Sequence, residues 1–355
     1  MVKKIIIGYA GGGYPAIEQL KGCKKIEGLE VAALCDVNPE NLKKVADEFN
    51  IPKRFTNFDE MLALKELDAV SICTPNFLHV SQIIKALNAG KHVLCEKPLS
   101  VNAAEAKKII EPLKKSRKIF MIAQLRRFSN EAKYLKSLIE NNELGKIYYT
   151  KARIVLRSGI PGLGGWFTNK KLSGGGALID VGVHLLDLTW WLMGCPEPET
   201  VYGCAYAEFG PRKLRSFEWG VSKITSTHFD VEDLVVGMIK FKNKATLHFE
   251  AAWALNIDKS NYVHTSIFGT EAGAELSLTY PLGSLTLSKF KEGCPVVIKP
   301  EITQNDWFEE EVRHFVNCVR DNKQPLVTSR QGVTVMKMID AVYESAKKGV
   351  SIRIN

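Results

Sequence analysis

Over residues 1–124, short β-rich runs alternate with helical ones, and this pattern restricts the fold more than anything else in the chain. Strands are predicted at Lys3–Ile7, Glu30–Cys35, Asp68–Cys73, Val93–Cys95 and Ile119–Ala123. Helices follow from the glycines after the first strand to about Lys21, and at Pro39–Phe49, Phe58–Leu64, Phe77–Ala89 and Ala103–Lys115. Strands separated by helices cannot close as hairpins. They pair side by side as a parallel, doubly wound sheet.

Ligands of such sheets bind outside the carboxyl ends of the strands, so the loops there carry the chemistry. The first is Gly8-Tyr9-Ala10-Gly11-Gly12-Gly13. A dinucleotide-binding turn needs glycine to turn tightly, to admit a pyrophosphate close to the backbone and to pack helix on strand. The segment fits as Gly8-x-Ala10-x-x-Gly13, where the Ala10 methyl crowds the phosphate approach. Gly11-x-Gly13-x-x-Ala16 also fits but starts further from the predicted strand. Asp36 ends the second strand, roughly 20 residues past the glycines, where an acid accepts hydrogen bonds from the adenine ribose and repels a 2′-phosphate. No arginine follows at Val37 or Asn38, so NAD is favoured over NADP. The same acid also suits a cap on the Asn38-Pro39 turn. Thr74-Pro75-Asn76 follows the strand ending near Cys73 and stands near the expected cofactor, with His79 in the next helix either beside it or covering a helix face. Glu96-Lys97-Pro98 ends the next strand. By itself the Glu96-Lys97 pair suits a surface ion pair as well as a ligand site, and Pro98 allows a cis or a trans bond.

Residues 125–355 have a different texture. A helix at Ser129–Asn142 and a strand at Lys146–Leu156 lead to an irregular glycine-rich loop, Gly159–Phe167. Ser173-Gly174-Gly175-Gly176 introduces a helix at Ala177–Leu192. Strand-like runs at Val201–Tyr206, Leu234–Phe241, Ala245–Trp253, Val263–Phe268, Ala274–Leu278 and Ser284–Leu287 predict a large, mostly antiparallel open sheet, closed by helices at Asp306–Asn322 and Val333–Lys348. The expected fold is therefore α/β, with an N-terminal Rossmann dinucleotide-binding domain over 1–124 and a C-terminal α/β domain over 125–355.

Asp180 and His184 are four residues apart, one above the other on a helix face. A carboxylate beside an imidazole can orient it and raise its pKa, as a general base for alcohol oxidation requires. Asp187 follows three residues later. The same residues also suit a hydrogen-bonded core histidine among Leu185, Leu188, Trp190 and Trp191.

The net charge of +9 comes from 48 Lys+Arg against 39 Asp+Glu. The basic residues are dispersed among acids, and the densest run, Lys114-Lys115-Ser116-Arg117-Lys118, ends a helix. A solvated surface is expected rather than a nucleic-acid interface. No apolar run is long enough to span a bilayer, and Val181–Met193 is interrupted by His184 and Asp187. Ile5-Ile6-Ile7 is too short for a signal peptide. Eight cysteines without a close pair point to a reducing cytoplasm, with neither disulfides nor a metal site.

Glu96-Lys97-Pro98, Asp180-Val181-Gly182-Val183-His184, Thr74-Pro75-Asn76-x-x-His79 and the segment from Asp233 to Trp253 together resemble the Gfo/Idh/MocA family (glucose–fructose oxidoreductase, inositol dehydrogenase, rhizopine catabolism) over nearly the whole chain. The resemblance implies a sugar, glycoside or cyclitol substrate whose secondary hydroxyl is oxidised to a ketone, or the reverse. It implies that His184 transfers the hydroxyl proton, that Lys97 hydrogen-bonds the reacting oxygen, and that Asp180 orients His184 or binds a neighbouring hydroxyl. It also implies that Arg127 lines the substrate pocket, that Trp166 stacks on the sugar, and that the open sheet forms a homodimer or homotetramer. Ala10 departs from the family's usual glycine. An aldose or anhydro-sugar reductase and a dihydrodiol dehydrogenase share the same catalytic set. A non-catalytic NAD-binding regulator is the alternative of a different class.

Overall fold

The computed structural model describes residues 2–217, 228–280 and 282–354, which divide into two compact units. Trp219, a second aromatic that suits a sugar, lies outside the described residues.

The first unit is built on β1 (Ile5–Ala10), α1 (Tyr14–Cys23), β2 (Leu29–Cys35), α2 (Pro39–Phe49), β3 (Lys53–Phe55), α3 (Phe58–Leu62), β4 (Ala69–Ile72), α4 (Asn76–Asn88), β5 (His92–Glu96), α5 (Ala103–Lys107), α6 (Ile110–Ser116) and β6 (Phe120–Ala123). Its six strands are all parallel, in the order β3-β2-β1-β4-β5-β6. The order reverses between β1 and β4. There the loops after neighbouring strands diverge and leave a crevice. The glycine loop after β1 and the Thr74 loop after β4 flank it, and Lys97 follows β5.

Two departures from the predicted elements have identifiable causes. β1 runs through Gly8, Tyr9 and Ala10, which pair with Ala33, Leu34 and Cys35 of β2 and with Val70, Ser71 and Ile72 of β4. The helix predicted at Ala103–Lys115 is broken into α5 and α6. Pro112 removes an amide donor, and its ring crowds the carbonyl of Lys108, at the break.

The second unit contains α7 (Asn130–Glu140), β7 (Ile147–Leu156), β8 (Ile160–Pro161), α8 (Lys170–Ser173), a π-helical turn (Leu178–Gly182), α9 (Val183–Leu192), β9 (Pro198–Tyr206), β10 (Ser216–Phe217), β11 (Leu234–Phe241), β12 (Thr246–Ala252), β13 (Asn261–Gly269), β14 (Ala272–Thr279), β15 (Leu282–Lys291) and β16 (Cys294–Ile298). Toward the end of the chain come α10 (Trp307–Asp321), α11 (Ser329–Lys348) and β17 (Ile352–Arg353). Nine strands form one sheet in the order β16-β15-β14-β13-β7-β12-β11-β9-β17, antiparallel except where β12 meets β7. One face is apolar: Thr150, Ala152 and Ile154 of β7 are buried, and the π turn packs on it so closely that a Cβ on Gly182 would lie 2.7 Å from the Ala251 Cβ. The other face carries the register row Tyr202, Met238, His248, Lys151, Ser266 and Glu275.

The sequence division at 124/125 matches the first boundary between the units but groups the closing segment differently. Residues 306–336 cluster with the first unit, whereas 125–305 and 337–355 form the second. The cause is close helix packing, since α10 lies against α1 where a Cβ on Gly22 would come within 2.7 Å of the Glu309 Cα. Among the described residues no helix is long and apolar enough to cross a membrane, and no group of His, Cys, Asp and Glu could hold a metal. All eight cysteines are free.

Candidate active site

Extending β1 to Ala10 moves the glycine motif by three residues. Gly8 and Ala10 are buried strand positions, with a Cβ on Gly8 meeting Leu67 at 3.1 Å and Met61 at 3.2 Å. They belong to the sheet, and the tight turn begins after Ala10. Gly11-x-Gly13-x-x-Ala16 starts directly after the strand. Gly11 has φ +88°, and a Cβ on it would lie 2.6 Å from the Cys73 carbonyl oxygen, so this position makes the tight turn. Gly13 precedes α1 with extended backbone, and a Cβ there would meet only Pro15, at 3.9 Å. That open side at a helix N-terminus suits an anion. Ala16 is fully buried, at the helix–strand packing position. Gly11→Ala should lower the melting temperature and weaken NAD binding together. The left-handed backbone alone costs about 1–2 kcal/mol for a side chain with Cβ, and thermal denaturation with and without NAD reads both effects.

Asp36 takes up the capping role. Its Oδ2 accepts from the Gly12 N–H at 2.9 Å and the Asn41 Nδ2 at 2.7 Å, while Oδ1 accepts from the Asn38 N–H at 2.8 Å. It caps the turn into α2 and also ties the glycine loop to β2. A carboxylate has about four acceptor sites, so capacity for a hydroxyl donor remains on a half-exposed side chain.

His79 is fully buried, and burial holds its pKa below the usual histidine value. One ring nitrogen lies 2.8 Å from the Pro98 carbonyl oxygen and the other 2.7 Å from that of Thr74. It is a clamp between the two loops, neither a cofactor contact nor the cover of a helix face. Thr74 Oγ1 donates to Gln82 at 2.6 Å, and Asn76 is the buried first residue of α4. The Lys97–Pro98 peptide is cis.

Glu96 and Lys97 part company at the end of β5. Lys97 is half-buried, whereas Glu96 turns into the interior. There the Glu96 Oε1 accepts from Gln19 Nε2 at 2.8 Å, and the Gln19 Oε1 accepts from Ser71 Oγ at 2.7 Å. Burial pushes the Glu96 carboxyl up to about 7, against the opposing pull of the Lys97 charge, the Lys97 backbone N–H and Gln19. Its carboxylate therefore faces protein rather than cofactor. Gln19 and Ser71 were not singled out from the sequence, although a serine inside the apolar run Ala69-Val70-Ser71-Ile72 was a usable signal.

In the second unit, the glycine run before the helix is explained by close packing of protein. A Cβ on Gly175 would lie 2.0 Å from the Tyr343 hydroxyl, and one on Gly176 would lie 1.9 Å from the Glu232 carbonyl oxygen. Buried Glu232 accepts from the Gly176 N–H (2.9 Å), the Leu178 N–H (3.1 Å) and the Tyr343 hydroxyl (2.9 Å), so it caps the start of the helical segment. The regular helix expected at Ala177–Leu192 opens instead with the π turn, and Asp180 sits in it. Such turns often mark functional sites. Asp180 is 5% exposed, and its Oδ2 accepts from the Trp253 indole N–H at 2.9 Å. His184 lies about one turn on, in α9, and is half-buried. Asp180, fixed by an indole, and the partly accessible His184 thus stand on consecutive helical segments.

Arg127 departs from its expected role. It is fully buried, and its Nε and Nη2 donate to the two oxygens of Asp187 at 2.7 and 2.6 Å. It is the inner half of an ion pair and is 0% exposed. Asp187 is accordingly Arg127's partner, with burial pushing its carboxyl up and the guanidinium pulling it back. Trp166 is half-buried and stacks on Phe167, with ring centroids 3.8 Å apart. Lys97 belongs to the first unit and Asp180 and His184 to the second.

Comparison with known proteins assigns both parts of the chain to one family. Residues 2–124 match the Gfo/Idh/MocA model described as oxidoreductase family, NAD-binding Rossmann fold, and residues 136–354 match the model of its C-terminal alpha/beta domain. The D-glucoside 3-dehydrogenase of Escherichia coli K12 is 30% identical over 92% of this chain and 90% of its own length. The 1,5-anhydro-D-fructose reductase of Ensifer adhaerens is 24% identical over 98% of both chains. Among solved structures, levoglucosan dehydrogenase in complex with NADH superposes with a TM-score of 0.86 at 21% identity, covering 99% of this chain and 100% of that one. A described NADPH-dependent oxidoreductase from Desulfitobacterium hafniense gives 0.85 at 18% identity, covering 100% and 99%.

Proposed function

The chain belongs to the Gfo/Idh/MocA oxidoreductase family, and from that premise we propose that it oxidises a secondary hydroxyl of a sugar, glycoside or cyclitol to a ketone, or runs the reverse. The observation that carries this reading is Asp180, fixed by the Trp253 indole, about one turn before a partly accessible His184. In the oxidative direction His184 takes the hydroxyl proton, and Asp180 orients the imidazole or holds a neighbouring hydroxyl. Lys97 donates to the reacting oxygen and stabilises its developing negative charge. A nicotinamide dinucleotide held in the first unit would supply the acceptor for the hydride released from the same carbon. Gly11, Gly13 and Asp36 suit the pyrophosphate and the adenine ribose, and the acid at Asp36 favours NAD over NADP. Thr74, Pro75 and Asn76 border the same crevice, and Trp166 is positioned on an accessible loop as a sugar-stacking candidate.

The D-glucoside dehydrogenase relative favours a glycoside hydroxyl, while the anhydrofructose reductase relative favours the reverse direction. The exposed Tyr202 and Met238 on the open sheet face support a homodimer or homotetramer through that sheet. The free cysteines support a reducing, cytoplasmic setting. Incubation of the protein with NAD or NADP and a panel of methyl glycosides, hexoses, anhydro-sugars and inositols tests the function. Reduced NAD should form with at least one glycoside or cyclitol, and faster than reduced NADP. A panel without turnover in either direction would remove the reading.

A further inference from the structure

We propose that Gln19 and Ser71 are positioning residues that hold Glu96 as the buried, negatively charged counter-ion of Lys97, while the neighbouring Glu311 stays a neutral acid. This deepens the assignment of Lys97 to the reacting oxygen and rests on it.

The hydrogen bonds have a direction. Ser71 Oγ donates to the Gln19 carbonyl oxygen at 2.7 Å, and the Cys73 Sγ lies 3.9 Å from the same oxygen. With its carbonyl oxygen so occupied, Gln19 turns its amide NH2 to Glu96, at 2.8 Å. An NH2 donor stabilises a carboxylate and offers nothing to the O–H of a protonated acid. The Lys97 backbone N–H is a second donor to the same carboxyl, and the Lys97 charge acts in the same sense. Three groups therefore favour the ionised form of a side chain that burial would otherwise keep neutral.

Glu311 has no such support. It lies on α10, is fully buried, and neither carboxyl oxygen has a hydrogen-bond partner among the described residues. Burial first, then the charge of Glu96, pushes its pKa far up. Two buried carboxyls in electrostatic contact do not both ionise, so the pair carries at most one charge. The donors place it on Glu96. The other titratable groups around the pair are Tyr9 on β1, Cys23 on α1, Cys73 after β4 and Cys95 on β5. Burial pushes every one of them up, so they are neutral near pH 7. Lys97 is the cation whose charge acts on Glu96.

The consequence is an acid limb in turnover. As pH falls through about 7, Glu96 takes up a proton, and the field acting on Lys97 loses one negative charge. Removing the Gln19 donor weakens the anion, so the limb moves to higher pH.

The test follows the Glu96 carboxyl directly, by 13C NMR titration of the full-length protein labelled at glutamate side-chain carboxyls, with Glu96→Gln identifying the resonance. A wild-type midpoint near 7 is expected. Gln19→Leu should raise it by about one pH unit or more. Ser71→Ala, a smaller change that preserves the fold if Gln19→Leu does not, should raise it by less. Glu311→Gln should leave it in place. The acid limb of kcat, measured on the best glycoside of the panel, should move with each midpoint. A Glu96 midpoint near the ordinary ~4.3, a midpoint indifferent to Ser71→Ala or Gln19→Leu, or a kcat limb that ignores it would overturn the proposal. So would a fall of a unit or more in Glu311→Gln, because Glu311 would then hold part of the charge. If the titrations behave as expected while Lys97→Ala keeps full turnover, the role of Lys97 in the reaction fails and the Glu96 network stands.

Discussion

Lys97→Ala is expected to lower kcat by about 10²–10³-fold on the best glycoside or cyclitol, the loss typical of removing one donor from a developing oxyanion. The NAD dissociation constant should change by less than about threefold, because the turn at Gly11 and the acceptor carboxylate of Asp36 do not involve this side chain. The split matters more than the size of the loss. A lysine that only bound the cofactor would weaken NAD binding and leave saturated turnover nearly intact. Fluorescence titration of bound NADH and steady-state rates at saturating NAD separate the two.

Arg127→Leu is expected to cost about 3–5 kcal/mol of stability, because it leaves the Asp187 carboxylate buried and unpaired. Both members of the pair are nearly inaccessible, so solvent cannot compensate. The guanidinium also lies 5.4 Å from the Trp191 ring centroid, so packing is lost along with charge. Arg127→Leu combined with Asp187→Leu should recover much of the loss, since no uncompensated charge then remains. Urea denaturation of the two variants reads the difference. A substrate-binding Arg127 would instead show an unchanged denaturation midpoint and a raised KM.

The sequence made the first unit legible because its signals are local. Alternating strand and helix signals, the acid at Asp36 and the Asn38-Pro39 helix start all fall within a few residues of what they determine. The sequence leaves two frames for the glycine motif because Gly8 suggests the end of a strand, whereas β2 and β4 on either side continue β1 to Ala10. That pairing is a long-range property and leaves no local trace. The roles of Arg127 and His79 were hidden for the same reason. An arginine or histidine beside a loop looks available until its partner is known, and Asp187, Thr74 and Pro98 are fixed as partners only by the fold. In the second unit the Asp180–His184 spacing was readable, but the π turn that holds Asp180 and the Trp253 indole that anchors it were not.

The central claim is proton transfer by His184 coupled to hydride transfer from a substrate carbon. Its most direct measurement is single-turnover reduction of saturating NAD by the best panel substrate, compared between wild type and His184→Ala. A general acid/base contributes about 10²–10⁴-fold, and the variant is expected to lose that much in the rate of reduced-nicotinamide formation while keeping its NAD affinity. Equal single-turnover rates in the two proteins would contradict the assignment of His184 and, with it, the proposed site.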